Sequence, residues 1–427
     1  MKNFIKRTLS DDFLKNNIIF LAGSLAVSFF NYAYHPILGR MLSLEDFGEL
    51  QAIISLFTQI TIVTSVFGII VINTVSNQKD KKITRYIMTE LQRVALLITF
   101  LLFGAIVLFS KQLESVLQFK SLTPFLMLAL LLPLGTTLGF RSAFLQGDHK
   151  FKEVSYINIL SSFMKLLAAI VLVYFGFRTT GAIAGLVIAQ VIAIVYAINI
   201  SKKDLPMMSK IPFFPTKNHK NENIEIKDEL KYGVFIFLML YSITFLYTAD
   251  ILVIKGFFDP TVSGLYGGVS TIARIIFFVT ASVAGVLLPS IKLDDKSGNN
   301  QKILKKSIMI VLVISLPAFV VFYLFPTLII TVLLGSKFVS FAPYLSLLSL
   351  SIIITSVINL FIYYFIALRR YATAVFPVAG LLLFLLLSST NHAKVTSIIY
   401  DLIFSNIAVL AMLLGYYFFK ERRLHGK

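Results

Sequence analysis

The sequence predicts an all-α integral membrane protein of about twelve transmembrane helices in two six-helix bundles, with both termini cytoplasmic. Three observations predict it: an apolar composition, a succession of helix-length apolar runs, and a strong bias in where lysine and arginine fall. Of 427 residues, 57% are hydrophobic and only 14% are charged, and the mean hydropathy is +0.84. A soluble domain averages about 45–50% apolar and about 25% charged residues. A shift on both counts is expected when lipid is the solvent for most of the chain. It excludes a soluble enzyme, a disordered chain and a nucleic-acid binder, even at a net charge of +18. The absence of cysteine removes disulfides, thiolate metal sites and cysteine nucleophiles, and five histidines leave little for a metal cluster.

A span needs roughly 20 apolar residues. Runs of that kind occupy 16–38, 49–75, 91–110, 122–145, 154–175 and 181–200, then 232–254, 263–291, 307–334, 342–368, 373–389 and 396–419. All should be helices, because lipid offers no partner for backbone N–H and C=O groups. The ~10-residue alternating segments of a β-barrel do not occur. The first run is too long for a signal-peptide core and lacks a small-residue cleavage site, so it is expected to remain as a helix. Pro36, Pro133, Pro289, Pro317, Pro326 and Pro377 lie in or at the ends of runs, where they allow bends.

Orientation follows from the connections. Of 39 lysines and arginines, 28 fall on one side: at the N-terminus, in 77–86, at Lys150 and Lys152, in 201–231 and 292–306, at Arg369 and Arg370, and in the tail. That side is expected to be cytoplasmic. The long polar interval 201–231, with three prolines, divides an N-terminal lobe (1–200) from a C-terminal lobe (232–427) and reads as a cytoplasmic linker. The halves share a weak repeat. Leu42-Ser43-Leu44-Glu45-Asp46-Phe47-Gly48 and Phe258-Asp259-Pro260-Thr261-Val262-Ser263-Gly264 occupy equivalent connections, with Gly48 and Gly264 offset by 216 residues. Two six-helix halves in the same orientation are parallel repeats, an architecture that places a substrate path between them.

Ionisable groups at membrane depth are costly and are the first functional candidates. Arg274 and Lys165 lie near the middle of spans 8 and 5. Arg274 shares a helix face with Tyr266 and Ser270, and Lys165 continues the stripe Ser155, Asn158, Ser162. Arg141, nearer a span end, is a candidate entrance charge; snorkelling or a structural pair is the alternative for each cation. Asp250 and Asp401 sit a few residues inside spans 7 and 12, as interfacial caps or as a site for coupling to H⁺ or Na⁺. Glu90 and Arg93 read as a local ion pair. Span 1 offers Ser24, Ser28, Asn31 and His35 on one face, and span 2 offers Gln51, Ser55, Thr58 and Ser65. Such stripes either join helices or line a wet cavity, and the sequence leaves both open. Neither a Walker loop nor an H-E-x-x-H pair is present, so no ATP or zinc chemistry is expected, nor an enzyme.

Four stretches carry a resemblance that extends over nearly the whole chain: Pro36-Ile-Leu-Gly-Arg40-Met-Leu-Ser-Leu-Glu-Asp46-Phe-Gly48, Phe144-Leu-Gln-Gly147 followed by Phe151, Asp250-Ile-Leu-Val-Ile-Lys-Gly256 leading to Ser263-Gly-Leu-Tyr266, and Leu288-Pro289. They resemble the polysaccharide-repeat (Wzx-type) flippases. The resemblance implies two six-helix bundles in a V, shared with multidrug exporters and lipid II flippases. It implies a multi-pass protein of the bacterial inner membrane that moves undecaprenyl-diphosphate-linked oligosaccharides for O-antigen, capsule or exopolysaccharide synthesis. Expected partners are that lipid-linked substrate, membrane lipids, and the polysaccharide polymerase and chain-length proteins; no resident cofactor is expected. Arg274 and Lys165 would engage the diphosphate or acidic sugars, with Arg141 at the entrance. Asn31, His35, Asn158 and Ser270 would line the cavity, and Asp250 matches an aspartate that recurs in span 7 of relatives. A cation-coupled drug antiporter and a non-transporting scaffold for polysaccharide assembly are the alternative functions. The lipid II branch is disfavoured by the absence of extra spans and of arginines on spans 1 and 2, the drug exporters by the absence of a carboxylate on span 1.

Overall fold

The computed structural model describes residues 12–77, 81–201, 226–293, 295, 298–390 and 393–421. Lys2, Lys6, Arg7, Arg422, Arg423, Lys427 and residues 202–225 of the interval 201–231 lie outside the described residues. The described chain is helical, with no strand. Its helices are α1 (Asp12–Met41), α2 (Leu44–Asn77), α3 (Lys81–Leu108), α4 (Ser110–Val116), α5 (Thr123–Gly147), α6 (Phe151–Tyr174) and α7 (Arg178–Ser201). There follow α8 (Ile226–Phe257), α9 (Pro260–Ala273), α10 (Ile275–Ser290), α11 (Asn299–Leu324), α12 (Pro326–Leu333), α13 (Tyr344–Ala367), α14 (Val375–Thr390) and α15 (Val395–Tyr416). Among the described residues, ten helices are long and apolar enough to cross a membrane, or eleven when the bent pair α9–α10 counts as one span.

Two of the expected spans are broken, each for a local reason. The eighth bends by 40° at Arg274. There the Thr271 hydroxyl turns back onto the Gly267 carbonyl at 2.7 Å, a bond that loosens the helix ladder next to two flexible glycines. The ninth divides into α11 and α12 at Phe325, because Pro326 has no N–H to continue the ladder and its fixed φ suits a first helical position. Pro36, Pro133 and Pro317 are carried inside α1, α5 and α11.

The chain divides into two compact units, 1–42 with 63–224 and 43–62 with 225–427. The sequence places 43–62 with the N-terminal lobe, whereas in the structure this first half of α2 is part of the second unit. In the first unit, Gly181 and Gly185 form a G-x-x-x-G pair on α7. A Cβ at Gly185 would lie 2.7 Å from the Ala169 nitrogen on α6, so only glycine allows the two backbones this approach. Thr99 and Thr136 join α3 to α5 through hydroxyls 2.8 Å apart. In the second unit, Asn406 of α15 donates to Ser351 and Thr355 of α13 at 3.0 Å each. Thr280 of α10 donates to Ser356 of α13 at 3.0 Å. Helices in lipid gain no hydrophobic drive to associate, so small residues and buried hydroxyl or amide bonds carry the packing.

Candidate functional site

In the second unit, α8 and α9 bring four polar side chains together inside the bundle. Asp250 is 2% exposed and Arg274 7%. One carboxylate oxygen of Asp250 accepts from the Arg274 guanidinium at 2.5 Å. The other accepts from the Tyr266 hydroxyl at 2.7 Å and the Ser270 hydroxyl at 3.0 Å. Tyr266, Ser270 and Arg274 fall four residues apart, so one face of α9 delivers all three to a single acid. Removing a charge pair from water costs several kcal/mol per ion unless partners saturate it. Asp250 is saturated, while the Arg274 Nε has no acceptor. The acid and the arginine that the sequence offers as separate coupling and binding groups are thus one neutralised unit. Asp250 bonds to Arg274 and not to Asp401, which is buried on α15.

The same unit holds the first half of α2 by polar contacts around this cluster. Ser55 donates to the Thr248 carbonyl at 2.7 Å, and Gln59 to the Thr248 hydroxyl at 3.1 Å. Thr271 faces the Gln51 side-chain oxygen at 3.2 Å. The two glycines of the internal repeat meet here. A Cβ on Gly48 would lie 2.8 Å from the Gly264 nitrogen, and one on Gly264 would collide with the Leu44 carbonyl. Asp46 and Glu49, which flank Gly48, are buried, and Lys255 on α8 is buried completely. The stripe on span 2 is therefore helix-joining at Gln51 and Ser55.

The first unit presents a different arrangement. Lys165 on α6 is half-buried. Its ammonium donates to the Asn31 side-chain oxygen on α1 and lies 4.7 Å from the centroid of the Tyr34 ring. The Tyr34 hydroxyl is itself fixed to the Ala182 carbonyl on α7 at 3.0 Å, so the ring is a rigid platform. Both partners of the ammonium are neutral. Along the same two helices, a cavity of about 170 Å³ is lined by Gly23, Ser24, Val27, Ser28, Ser155 and Asn158. Ser24, Ser28, Asn31 and Asn158 are exposed. Polar side chains exposed on apolar helices are costly against hydrocarbon.

The remaining candidates lie elsewhere. Arg141, read as an entrance charge, is enclosed between α5 and α7, 2% exposed, and donates to the Ser201 hydroxyl at 2.5 Å. The ring of His35 packs edge-on against Tyr34. Glu90 and Arg93 form the expected local pair at 2.5 Å. The sequence reading missed Tyr34 and Thr248. Tyr34 stands three residues after Asn31 on the stripe that names Asn31, so it was within reach. Nothing in sequence singles out Thr248.

Ten or eleven membrane-length apolar helices, several with ionisable groups along them, define a multi-pass membrane protein. The chain belongs to the family described as "Polysaccharide biosynthesis protein", which it matches over residues 37–343. Solved structures share the fold at low identity. The lipid II flippase MurJ in an inward closed conformation aligns with a TM-score of 0.70 and 15% identity, covering 92% of this chain and 87% of that one. An inward-facing multidrug-resistance MATE transporter of the MOP superfamily aligns at 0.67 and 11%, covering 93% and 96%. The Vibrio cholerae MATE transporter VcmN aligns at 0.61 and 14%, covering 99% and 98%. No curated protein sequence matches the chain.

Proposed function

We propose that this protein is a flippase of the bacterial inner membrane that carries undecaprenyl-diphosphate-linked oligosaccharide repeats for O-antigen, capsule or exopolysaccharide synthesis. The observation that carries this reading is Lys165, a cation at membrane depth whose partners are an amide and a tyrosine ring. Its charge calls for an anion from outside the protein, and a diphosphate supplies one with oxygens suited to charge-assisted hydrogen bonds. The adjoining hydroxyl and amide stripe (Ser24, Ser28, Asn31, Asn158) suits the sugars. Membership of a polysaccharide biosynthesis family supports the same substrate class. Lys165 also disfavours a drug antiporter, because it repels the lipophilic cations such a protein would carry.

In a strain lacking the gene, lipid-linked repeats should accumulate in the inner leaflet and surface polymer should fall below a tenth of its level. Complementation should restore it. Surface polymer that is unchanged by the deletion would refute the proposal.

In the alternating-access cycle proposed here, the first half of α2 moves with the N-terminal lobe of which the helix is a continuous part, and leaves the second unit in every cycle. A Cβ at Gly267 would lie 3.2 Å from the Gln51 Cβ, close to the ~3.8 Å typical of a disulfide. The natural chain has no cysteine, so a Gln51→Cys/Gly267→Cys pair can be oxidised without background. Oxidation should abolish export and reduction should restore it. Full export with the cross-link formed would show that the seam stays closed throughout the cycle.

A further inference from the structure

The corner between α13 and α14 carries an arginine where a glycine is the ordinary choice. Arg369 has φ +51°, and its turn closes with the Arg369 N–H on the Ile366 carbonyl at 3.1 Å and the Arg370 N–H on the Phe365 carbonyl at 3.0 Å. That is a left-handed helix cap, a position in which glycine loses nothing and an L side chain is strained. Such strain persists where the side chain has a use. Here the guanidinium lies over the Tyr232 ring at 4.5 Å, and the ammonium of Lys231 lies over the Tyr371 ring at 5.2 Å. Tyr232 is tied to the Ile366 carbonyl at 3.3 Å, and Phe235 packs against Tyr371 at 5.1 Å. Two cations, one from the second turn of α8 and one from the corner after α13, are thereby held on two fixed aromatic faces. Stacking uses the flat of the guanidinium and leaves its N–H edge to other acceptors.

The location narrows the acceptor. Lys231 lies in the second turn of α8, where its membrane-length stretch Lys231–Phe257 begins, and Arg369 and Arg370 lie between the ends of two others, Tyr344–Ala367 and Tyr371–Thr390. The site therefore sits at the boundary of hydrocarbon and water, where phosphate headgroups lie. The first unit repeats the turn. His149 has φ +57°, with His149 N–H to the Gln146 carbonyl at 3.1 Å and Lys150 N–H to the Leu145 carbonyl at 2.8 Å. There the ring of His149 packs against Phe151 at 5.8 Å, and Lys150 is paired with Asp148 at 2.8 Å. In the second unit the cations Lys231 and Arg369 are seated on the rings of Tyr371 and Tyr232.

We propose that Lys231 and Arg369, seated on Tyr371 and Tyr232 with Arg370 beside them, form a binding site for the phosphate of an anionic membrane lipid. The phosphate belongs either to a bulk phosphodiester lipid or to a prenyl diphosphate, and the experiment separates the two. Full-length protein in neutral detergent is titrated with phosphatidylglycerol, with farnesyl diphosphate or with phosphatidylcholine, and its melting temperature is read.

Phosphatidylglycerol or farnesyl diphosphate should raise the melting temperature and phosphatidylcholine should not. The ligand with the lower half-saturating concentration identifies the source. Arg369→Gly keeps the left-handed turn, so the Lys231→Gln/Arg369→Gly variant should melt as the wild type does in phosphatidylcholine. Its half-saturating concentration should rise by about fivefold for each charge removed. A Lys305→Gln/Lys306→Gln variant, which loses two charges on α11, should respond as the wild type does. Equal responses in the wild type and the corner variant, or an equal loss in the α11 control, would overturn the site in favour of diffuse attraction to a basic protein.

Discussion

Lys165→Gln should reduce surface polysaccharide by at least tenfold while leaving folded protein at its normal level in the membrane. The expected size follows from losing a charge-assisted hydrogen bond to a phosphate oxygen, about 1.5–3 kcal/mol, where 1.4 kcal/mol is a factor of about ten. The stability half of the prediction follows from the partners. Lys165 is held by the Asn31 amide and the Tyr34 ring, so deleting its charge strands no opposite charge. Lys165→Arg should retain part of the activity, since it keeps the cation but changes its length and shape. Export assayed beside membrane abundance checks both halves. Normal export by Lys165→Gln would remove the anion from this face.

Asp250→Ala should have the opposite profile. It leaves the Arg274 guanidinium buried without its acid, a change that costs about 3–5 kcal/mol, and it also orphans the Tyr266 and Ser270 hydroxyls. A steep fall in the thermal midpoint and in membrane abundance is the expected outcome. Arg274→Met alone should destabilise for the converse reason, because it leaves a buried carboxylate with two hydroxyl donors. The Asp250→Ala/Arg274→Met double variant should recover much of the stability of either single change, since replacing a whole buried pair by apolar groups is often near neutral. Thermal unfolding of the four proteins forms a double-mutant cycle that measures the coupling. If the single changes leave stability unaltered, the pair is not the structural pin that its burial indicates. Export by the stable double variant then reads whether Arg274 acts on substrate as well as on Asp250.

These two expectations differ although Lys165 and Arg274 are both cations near the middle of apolar runs. From sequence, Arg274 and Lys165 look alike: each is a lone basic residue in an apolar run, on a face with hydroxyl or amide neighbours. The alignment of Tyr266, Ser270 and Arg274 on one face is legible because helical periodicity is local. Their convergence on Asp250 is not, because the acid lies on another helix, 24 residues away from Arg274. Glu90 and Arg93 show the local case, where three residues along one helix suffice to predict the bond. Arg141 shows the non-local one: its distance from the span end implied access, while the packing of α5 against α7 encloses it.

The division into units follows the same rule. The polar interval 201–231 marks one boundary in composition, and a weak internal repeat is visible at Gly48 and Gly264. Yet α2 is one continuous helix with no breaker to announce that its first half belongs with 225–427. The close approach of Gly48 and Gly264 is a property of two surfaces, and each glycine by itself is only a permissive residue.

Membrane residence and helical class were determined by the sequence alone, because partition into lipid depends on composition and on residues within one helix of each other. Only the tertiary structure decided which charges are compensated and which remain open to a ligand. Compensation is pairwise and short-ranged, and its partners arrive from helices that are distant in the chain.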